Sequence, residues 1–358
     1  MYRNTKNVPY YVFGRGSLAQ LGDLLKPRRE AVDGPVVYFV DHFFRDHELI
    51  GRLPMEKGDQ LHFVDSSSEP EVTRIDAFKE AVSAADSRTP CCVVGIGGGN
   101  ALDTAKAVAK LLTNPGKAED YQGWELVKNP AVYKIGIPTL SGTGSECSRT
   151  CVLTNIPKNL KLGMNSDYTV YDQLLLDPDL LATVPRDQYF YTGIDTFMHC
   201  VESLQGSYRN AIIDAFSVRA VQLCEEIFLS DDMMSEENRE KMMIASYIGG
   251  MAAGNVGVIH PFSAGLGVVL HVAHGLGNCL ALNVLGDIYP KEYKQFRTMI
   301  ERQGVNLPTG ICKDLTEEQY EGLYRGCIVH EKPLTNALGP DFKQILTREN
   351  LIERYKSI

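Results

Sequence analysis

The 358-residue chain predicts an α/β N-terminal domain with a mostly parallel sheet, followed by an all-helical domain. Three observations lead there. Short apolar runs alternate with amphipathic stretches through the first half. Helical periodicity takes over in the second half, with no convincing strand. The length also exceeds what one simple core holds, so two domains are expected, 1–181 and 182–358.

In chain order, "PVVYFVD" (35–41) reads as a strand and "FRDHELIGRL" as helix. "DQLHFVD" (59–65) is a second strand, followed by a helix through "EVTRIDAFKEAVSAADSR". "CCVVGIGGG" (91–99) is a third strand with "ALDTAKAVAKLLTN" as its helix, and "VYKIGIPT" (132–139) is a fourth. Strands separated by helices imply parallel pairing with both faces covered. "KLGMNSDYTVYDQLLLDP" reads as extended chain returning to the same domain. Pro178 and Pro185 bracket the junction. Beyond it "VRAVQLCEEIFL", "NREKMMIASYIGGMAAG", "LTEEQYEGLYRGCIV" and "TRENLIERYKS" are helical.

Composition excludes several classes. A formal charge of −9 argues against nucleic-acid binding, which needs clustered Lys and Arg. No apolar run approaches the roughly 20 residues that span a bilayer, and the N-terminal stretch lacks a signal core. Nine cysteines without CxxC pairs fit free thiols in a reducing cytoplasm.

"VVGIGGGNALDTAK" follows a strand and opens a helix, where backbone N–H groups bind phosphate. The dinucleotide fingerprint GxGxxG would need glycine where Asn100 stands, and no Gly-Lys-Ser/Thr ending makes a P-loop. Three consecutive glycines still let the backbone approach a pyrophosphate; the alternative is a plain tight turn. "PTLSGTGSE" (138–146) is a second glycine-rich turn after a strand, with hydroxyls at Thr139, Ser141, Thr143 and Ser145. Two such turns fit a nucleotide lying across the strand ends. Asp41 ends the first strand, where a carboxylate accepts from an adenosine ribose hydroxyl and repels a 2′-phosphate, favouring NAD over NADP.

In "YTGIDTFMHCVES" (191–203), Asp195 and His199 stand four apart on one helix face. A carboxylate in so apolar a helix needs compensation: a metal ion, or a hydrogen-bonded Asp–His pair. His260 and His274 follow in "NVGVIHPFSAGLGVVLHVAHGLGNCLAL". On one unbroken helix they would lie about 21 Å apart, so they meet only if the chain bends, at Pro261, Gly265, Gly267 or Gly275. One carboxylate with three imidazoles suits Fe(II) or Zn(II) better than Mg or Ca. His271 is an alternative to His274 as ligand.

"GIGGGNALDTAK", "PTLSGTGSE", the stretch from "KLGMNSDYTVYDQ" through "GIDTFMHCVES", and "HPFSAGLGVVLHVAHG" together resemble the iron-containing alcohol dehydrogenases. That metal-dependent group is related to glycerol dehydrogenase and dehydroquinate synthase. The resemblance runs from about residue 8 to the end, with shorter C-terminal helices. It implies metal and substrate between the two domains, and a metal set of Asp195, His199, His260 and His274. It places the pyrophosphate turn at Gly97, Gly98, Gly99 and Asn100, with Asp103 beside it. Thr139, Leu140 and Thr143 match the second cofactor loop, Lys161 the lysine on the nicotinamide side, and Asp41 the ribose carboxylate.

Two positions depart from the pattern. Ala264 stands where many members carry a proton-relay histidine, so His271 or bulk water is expected to take the proton. Glu69 replaces an asparagine common near the cofactor. "SGTGSECSRTCVL" and "HPFSAGLGVVLHVAHG" look most like the branch that oxidises the C8 hydroxyl of 3-deoxy-D-manno-octulosonate (Kdo) to an aldehyde. An acidic sugar would need a cation such as Arg149 or Arg209. The expected reaction is therefore metal-assisted hydride transfer from a primary alcohol to a nicotinamide, in a homodimer. The rivals are another polyol or alcohol dehydrogenase, an oxidase passing electrons to oxygen, a dehydroquinate-synthase-like lyase and a non-catalytic nucleotide-binding protein.

Overall fold

The computed structural model describes residues 6–158 and 160–358. They form two compact units. One contains the described residues of Met1–Leu140 with Ser145–Lys158 and Leu162–Thr183. The other contains Val184–Ile358 and two short pieces from earlier in the chain, within Ser141–Gly144 and Asn159–Lys161.

The strands are β1 (Tyr10–Phe13), β2 (Val36–Asp41), β3 (Gln60–Val64), β4 (Cys92–Gly97), β5 (Gly123–Trp124), β6 (Lys134–Pro138), β7 (Val152–Asn155), β8 (Leu160–Asn165) and β9 (Gln173–Leu176). Six of them make one parallel sheet in the order β1-β9-β6-β4-β2-β3. The helices α1 (Leu21–Ala31), α2 (Val72–Ala85) and α3 (Gly99–Leu111) belong to the same unit. Alternation along β2 shows why the sheet is covered twice. Val37 and Phe39 join Ile75, Val82, Ala105 and Val108 of α2 and α3 on one face. Val36, Tyr38 and Val40 join Leu21 and Leu25 of α1 on the other.

Strand order fixes where a ligand binds. The chain steps outward from β2 to β3, then returns to place β4 on the opposite side of β2. Adjacent strands whose connections leave in opposite directions open a crevice at their carboxyl ends. Those ends are Asp41 and Gly97.

One local expectation is corrected, and the strand assignment is extended in two places. "FRDHELIGRL" forms two short 3-10 turns, His42–Phe44 and Glu48–Arg52, instead of a helix. The Asp41 carboxylate accepts from Phe43 N, and His47 Nδ1 accepts from Leu49 N, so side chains intercept the donors that a helix would use. The extended stretch after residue 160 supplies two strands to different sheets. β9 lies between β1 and β6 in the main sheet, whereas β8 joins β5 and β7 in a three-stranded one. β1, formed by "YYVF", is an additional edge strand paired with β9, with Tyr10, Tyr11 and Phe13 exposed.

The second unit is helical: α4 (Arg186–Gln205), α5 (Ala211–Phe228), α6 (Glu236–Gly249), α7 (Ile259–Leu270), α8 (His274–Val284), α9 (Pro290–Gln303), α10 (Glu317–Ile328), α11 (Glu331–Leu338), α12 (Phe342–Ile345) and α13 (Arg348–Lys356). Among the described residues no single helix is long and apolar enough to cross a membrane. α4 is the axis, buried from Thr192 to Ser203. The bend between His260 and His274 falls at His271, which closes α7 in the left-handed region at φ 55°, and not at any of the proposed prolines or glycines. Gly275 serves differently. It lets the first turn of α8 rest on α4, where a Cβ would stand 2.6 Å from Tyr191 O. All nine cysteines are unpaired and buried.

Gly275→Ala should therefore push α8 off α4 at a cost of about 1–3 kcal/mol, read as a lower urea midpoint. An unchanged midpoint would show that this contact sets nothing.

Candidate functional site

In the helical unit the i, i+4, i+7 positions of α4 carry Asp195, His199 and Glu202 on one face. The second residue of α7 is His260 and the first of α8 is His274. All four expected metal residues thus come together. Asp195 Oδ1 lies 3.1 Å from His260 Nε2 and 3.8 Å from His199 Nε2, and Oδ2 lies 3.5 Å from His274 Nε2. Asp195, His260 and His274 each place a donor atom within 4.8 Å of the other two. The rings of His199 and His260 stack at 4.4 Å. His271 stays outside this group, exposed at the end of α7.

Electrostatics shows what the cluster suits. Burial raises the cost of charge on Asp195, yet the three imidazoles outweigh it and hold the carboxyl well below its usual range. Burial pushes His199 down to about 3, against the pull of Asp195. His260 goes the other way: burial opposes its charge, but Glu202 and Asp195 together raise it to about 9. Asp195 Oδ2 and His199 Nδ1 are covered and lack hydrogen-bond partners among the described residues. Such atoms cost about 1–3 kcal/mol each when left unsatisfied. A buried carboxylate oxygen without a donor, ringed by imidazole nitrogens, fits a divalent cation of the Fe(II) or Zn(II) type.

Glu202 is the functional residue that the sequence reading missed. Its Oε2 accepts from His260 Nδ1 (2.5 Å), while Oε1 accepts from Ile259 N (2.6 Å) and from the Tyr289 hydroxyl (3.1 Å). This carboxylate fixes the ring so that Nε2 faces Asp195, and it caps the start of α7. The signal was present: Glu202 lies on the helix face already marked by Asp195 and His199. Asn278, one turn after His274, was also missed; its Nδ2 donates to Asp195 Oδ1 at 2.7 Å.

In the sheet unit, Gly97 adopts φ 152°, and a Cβ there would meet Ala101 Cβ at 2.6 Å and Asp41 Cβ at 3.0 Å. Gly98 precedes α3 as its cap and Gly99 opens it, so free backbone donors collect at the turn. Leu140 stands against Gly98, and Thr139 N donates to Gly97 O. Asn100 Nδ2 donates to Ser66 O and Ser68 O, and Ser66 Oγ donates to Asp41 Oδ1 at 2.9 Å, so one chain of bonds ties the turn to the Asp41 carboxylate. Asp103 has a supporting part: it accepts from Val152 N (2.9 Å) and from the Ser145 hydroxyl. Thr143 and Lys161 lie in the short pieces that belong to the helical unit. Of the suggested cations, Arg149 is held by Asp167 and Glu125, and Arg209 by Asp214.

The comparisons agree with this architecture. A model of the iron-containing alcohol dehydrogenases matches residues 9–178, and a model of the C-terminal part of the Fe-containing alcohol dehydrogenase family matches residues 189–322. The sulfoacetaldehyde reductase of Bilophila wadsworthia is 34% identical over 220 residues, covering 60% of this chain and 56% of that protein. The chain thus spans just over half of that relative. The NAD-dependent methanol dehydrogenase of Bacillus methanolicus is 29% identical over 278 residues, covering 75% and 71%. Among solved structures, sulfoacetaldehyde reductase from Bifidobacterium kashiwanohense in complex with NAD+ shares the fold at TM-score 0.80 and 24% identity, covering 99% of this chain and 98% of that one. A 1,3-propanediol oxidoreductase does so at TM-score 0.82 and 20% identity, covering 99% of each chain.

Glu202→Gln should weaken retention of Fe(II) or Zn(II) by about 10- to 100-fold, while His199→Ala and His260→Ala should abolish it with the fold kept, as read by elemental analysis and circular dichroism. Full metal content in either alanine variant would contradict the ligand assignment. With both units matched along most of their length, the chain belongs to the iron-containing alcohol dehydrogenase family.

Proposed function

We propose that the protein transfers hydride between a primary alcohol and NAD at a divalent cation, Fe(II) or Zn(II), held by Asp195, His199, His260 and His274. The observation that carries this reading is the buried Asp195 carboxylate ringed by three imidazoles in a member of this family. When bound, a divalent cation makes the alcohol a far stronger acid, which readies it to give up hydride to the nicotinamide.

The chain's own residues position that chemistry. Glu202 holds the His260 ring through Nδ1 and leaves Nε2 for the cation. Asn278 fixes one Asp195 oxygen, so the carboxylate keeps its orientation. Gly97, Gly98, Gly99 and Asn100 carry the pyrophosphate at the start of α3, with Asp103 bracing the loop beside it. Thr139, Leu140 and Thr143 line the second cofactor loop, and Lys161 reaches the nicotinamide side. Asp41, at the switch point, accepts from the ribose hydroxyl and favours NAD over NADP. The alcohol's proton leaves by His271, exposed at the end of α7, or to bulk water.

The substrate is read as the C8 hydroxyl of Kdo, on the strength of the "SGTGSECSRTCVL" and "HPFSAGLGVVLHVAHG" stretches. The relation to sulfoacetaldehyde reductase favours a short aldehyde carrying a sulfonate as a second reading. A homodimer joined through β1 is supported by its position at the sheet edge and by the exposed Tyr10, Tyr11 and Phe13. Nine unpaired thiols support residence in the cytoplasm.

NADH should accumulate when the protein meets NAD and a substrate from a panel of polyols, sugar acids and simple primary alcohols, and only with Fe(II) or Zn(II) present. Phosphate release or peroxide in place of NADH would overturn the reading. Asp41→Ala should shift the NADP-to-NAD ratio of kcat/KM upward by about tenfold or more, the worth of one charged hydrogen bond. A ratio that does not move would remove Asp41 from the cofactor site.

A further inference from the structure

Two reactive side chains of the sheet unit meet at the end of α3 that lies farthest from the glycine turn. Lys110, next to last in that helix, and Cys151, just before β7, are 1% and 0% exposed. Lys110 Nζ stands 3.1 Å from Cys151 Sγ. Two other buried lysines of this unit have a carboxylate: Lys106 meets Asp103 at 3.5 Å, and Lys134 meets Asp172 at 3.1 Å. Lys110 has none within ion-pair distance among the described residues. Its remaining partners are Thr169 Oγ1 at 3.1 Å and Met164 O at 3.4 Å.

A charge so placed is expensive. Burial holds the Lys110 amine below its ordinary range, and Lys106 pushes the same way against the pull of Cys151. A neutral amine has two N–H bonds and one lone pair. Thr169 Oγ1 spends its own proton on Met164 O at 3.1 Å, so toward Lys110 it can only accept. The two N–H bonds thus go to Thr169 Oγ1 and Met164 O, and the lone pair is left facing the sulfur. The amine is a nucleophile aimed at Sγ by its own hydrogen bonds.

We propose that Lys110 and Cys151 form a modification site at which hydrogen peroxide joins Nζ to Sγ by a direct bond. Peroxide first oxidises the thiol to a sulfenic acid and is itself reduced to water. The lone pair of Lys110 then attacks Sγ. The S–N bond forms as the S–O bond breaks, and the departing hydroxide takes the amine proton as a second water. One peroxide is consumed and the chain loses two hydrogen atoms. A thiol reductant reverses the step, two of its molecules becoming a disulfide as thiol and amine are restored. Hydrogen peroxide is little larger than water and so enters where bulkier reagents do not. Lys106, one turn earlier on α3, already holds Ser145 O at 2.7 Å and Thr150 O. The new bond therefore fastens the segment 145–151 covalently to the helix that opens at the glycine turn.

The test is peptide mapping of the Zn(II)-loaded protein after hydrogen peroxide, with trypsin and no reductant. Trypsin does not cut after a modified lysine. Residues 107–117 should therefore stay whole and be joined to 150–158, two hydrogens lighter than the separate peptides together. A thiol reductant added before digestion should restore cleavage at Lys110 and a free Cys151. Lys110→Met should abolish the link and let Cys151 run on to the sulfinic acid, and Cys151→Ala should leave Lys110 open to trypsin. Cys151 recovered from the treated parent as thiol or sulfinic acid, with Lys110 cut, would overturn the site, and that result needs no variant to fold. A joined pair one oxygen heavier would overturn the direct bond. A link at Cys151 that persists in Lys110→Met would also overturn the proposal, because another nitrogen would then be the nucleophile.

Discussion

The helical unit is organised around one carboxylate that water does not reach. Asp195 is fully buried, halfway along the most enclosed helix of the unit, and it keeps its charge there because three imidazoles surround it. That requirement explains much of the arrangement. α7 must present its second residue and α8 its first, so both helices begin at the same point on α4. The left-handed turn at His271 brings two helix starts together within a short span of chain. Glu202 and Asn278 then hold what the backbone has assembled.

The sheet unit answers a different constraint, the approach of a backbone to an anion. Its strand order leaves a gap between the carboxyl ends of β2 and β4. The residues there are those with the least bulk or the most useful charge, Gly97 and Asp41. Around them, Asn100, Ser66 and Asp103 spend their polar atoms on loops. The turn is thereby held in shape before any ligand arrives, which lowers the entropy lost on binding.

What could be read in the sequence followed physical periodicity. β2, β4 and β6 are buried on both faces and appear as unbroken apolar runs, and α3 follows its glycine turn directly. β1 and β5 were illegible because an edge strand or a two-residue pairing has no pattern of its own; each exists only through its partner. The two 3-10 turns after β2 were misread because Asp41 and His47 bond locally, an effect that apolar spacing does not record. In the site, Asp195 and His199 were legible as an i, i+4 pair. Glu202 shared their face, but a glutamate seven residues on carries no ligand pattern by itself, and its role comes from His260, Ile259 and Tyr289 far along the chain.

The nine enclosed thiols have a practical meaning. Burial holds the thiols of Cys92, Cys200, Cys224, Cys279 and Cys327 well above their ordinary range, so they are poor nucleophiles as well as covered ones. They are spread over the sheet, α4, α5, α8 and α10. An alkylating reagent therefore reaches each only when its own element opens, and the order in which they are modified gives a map of local breathing across the molecule, written by residues that take no part in the chemistry.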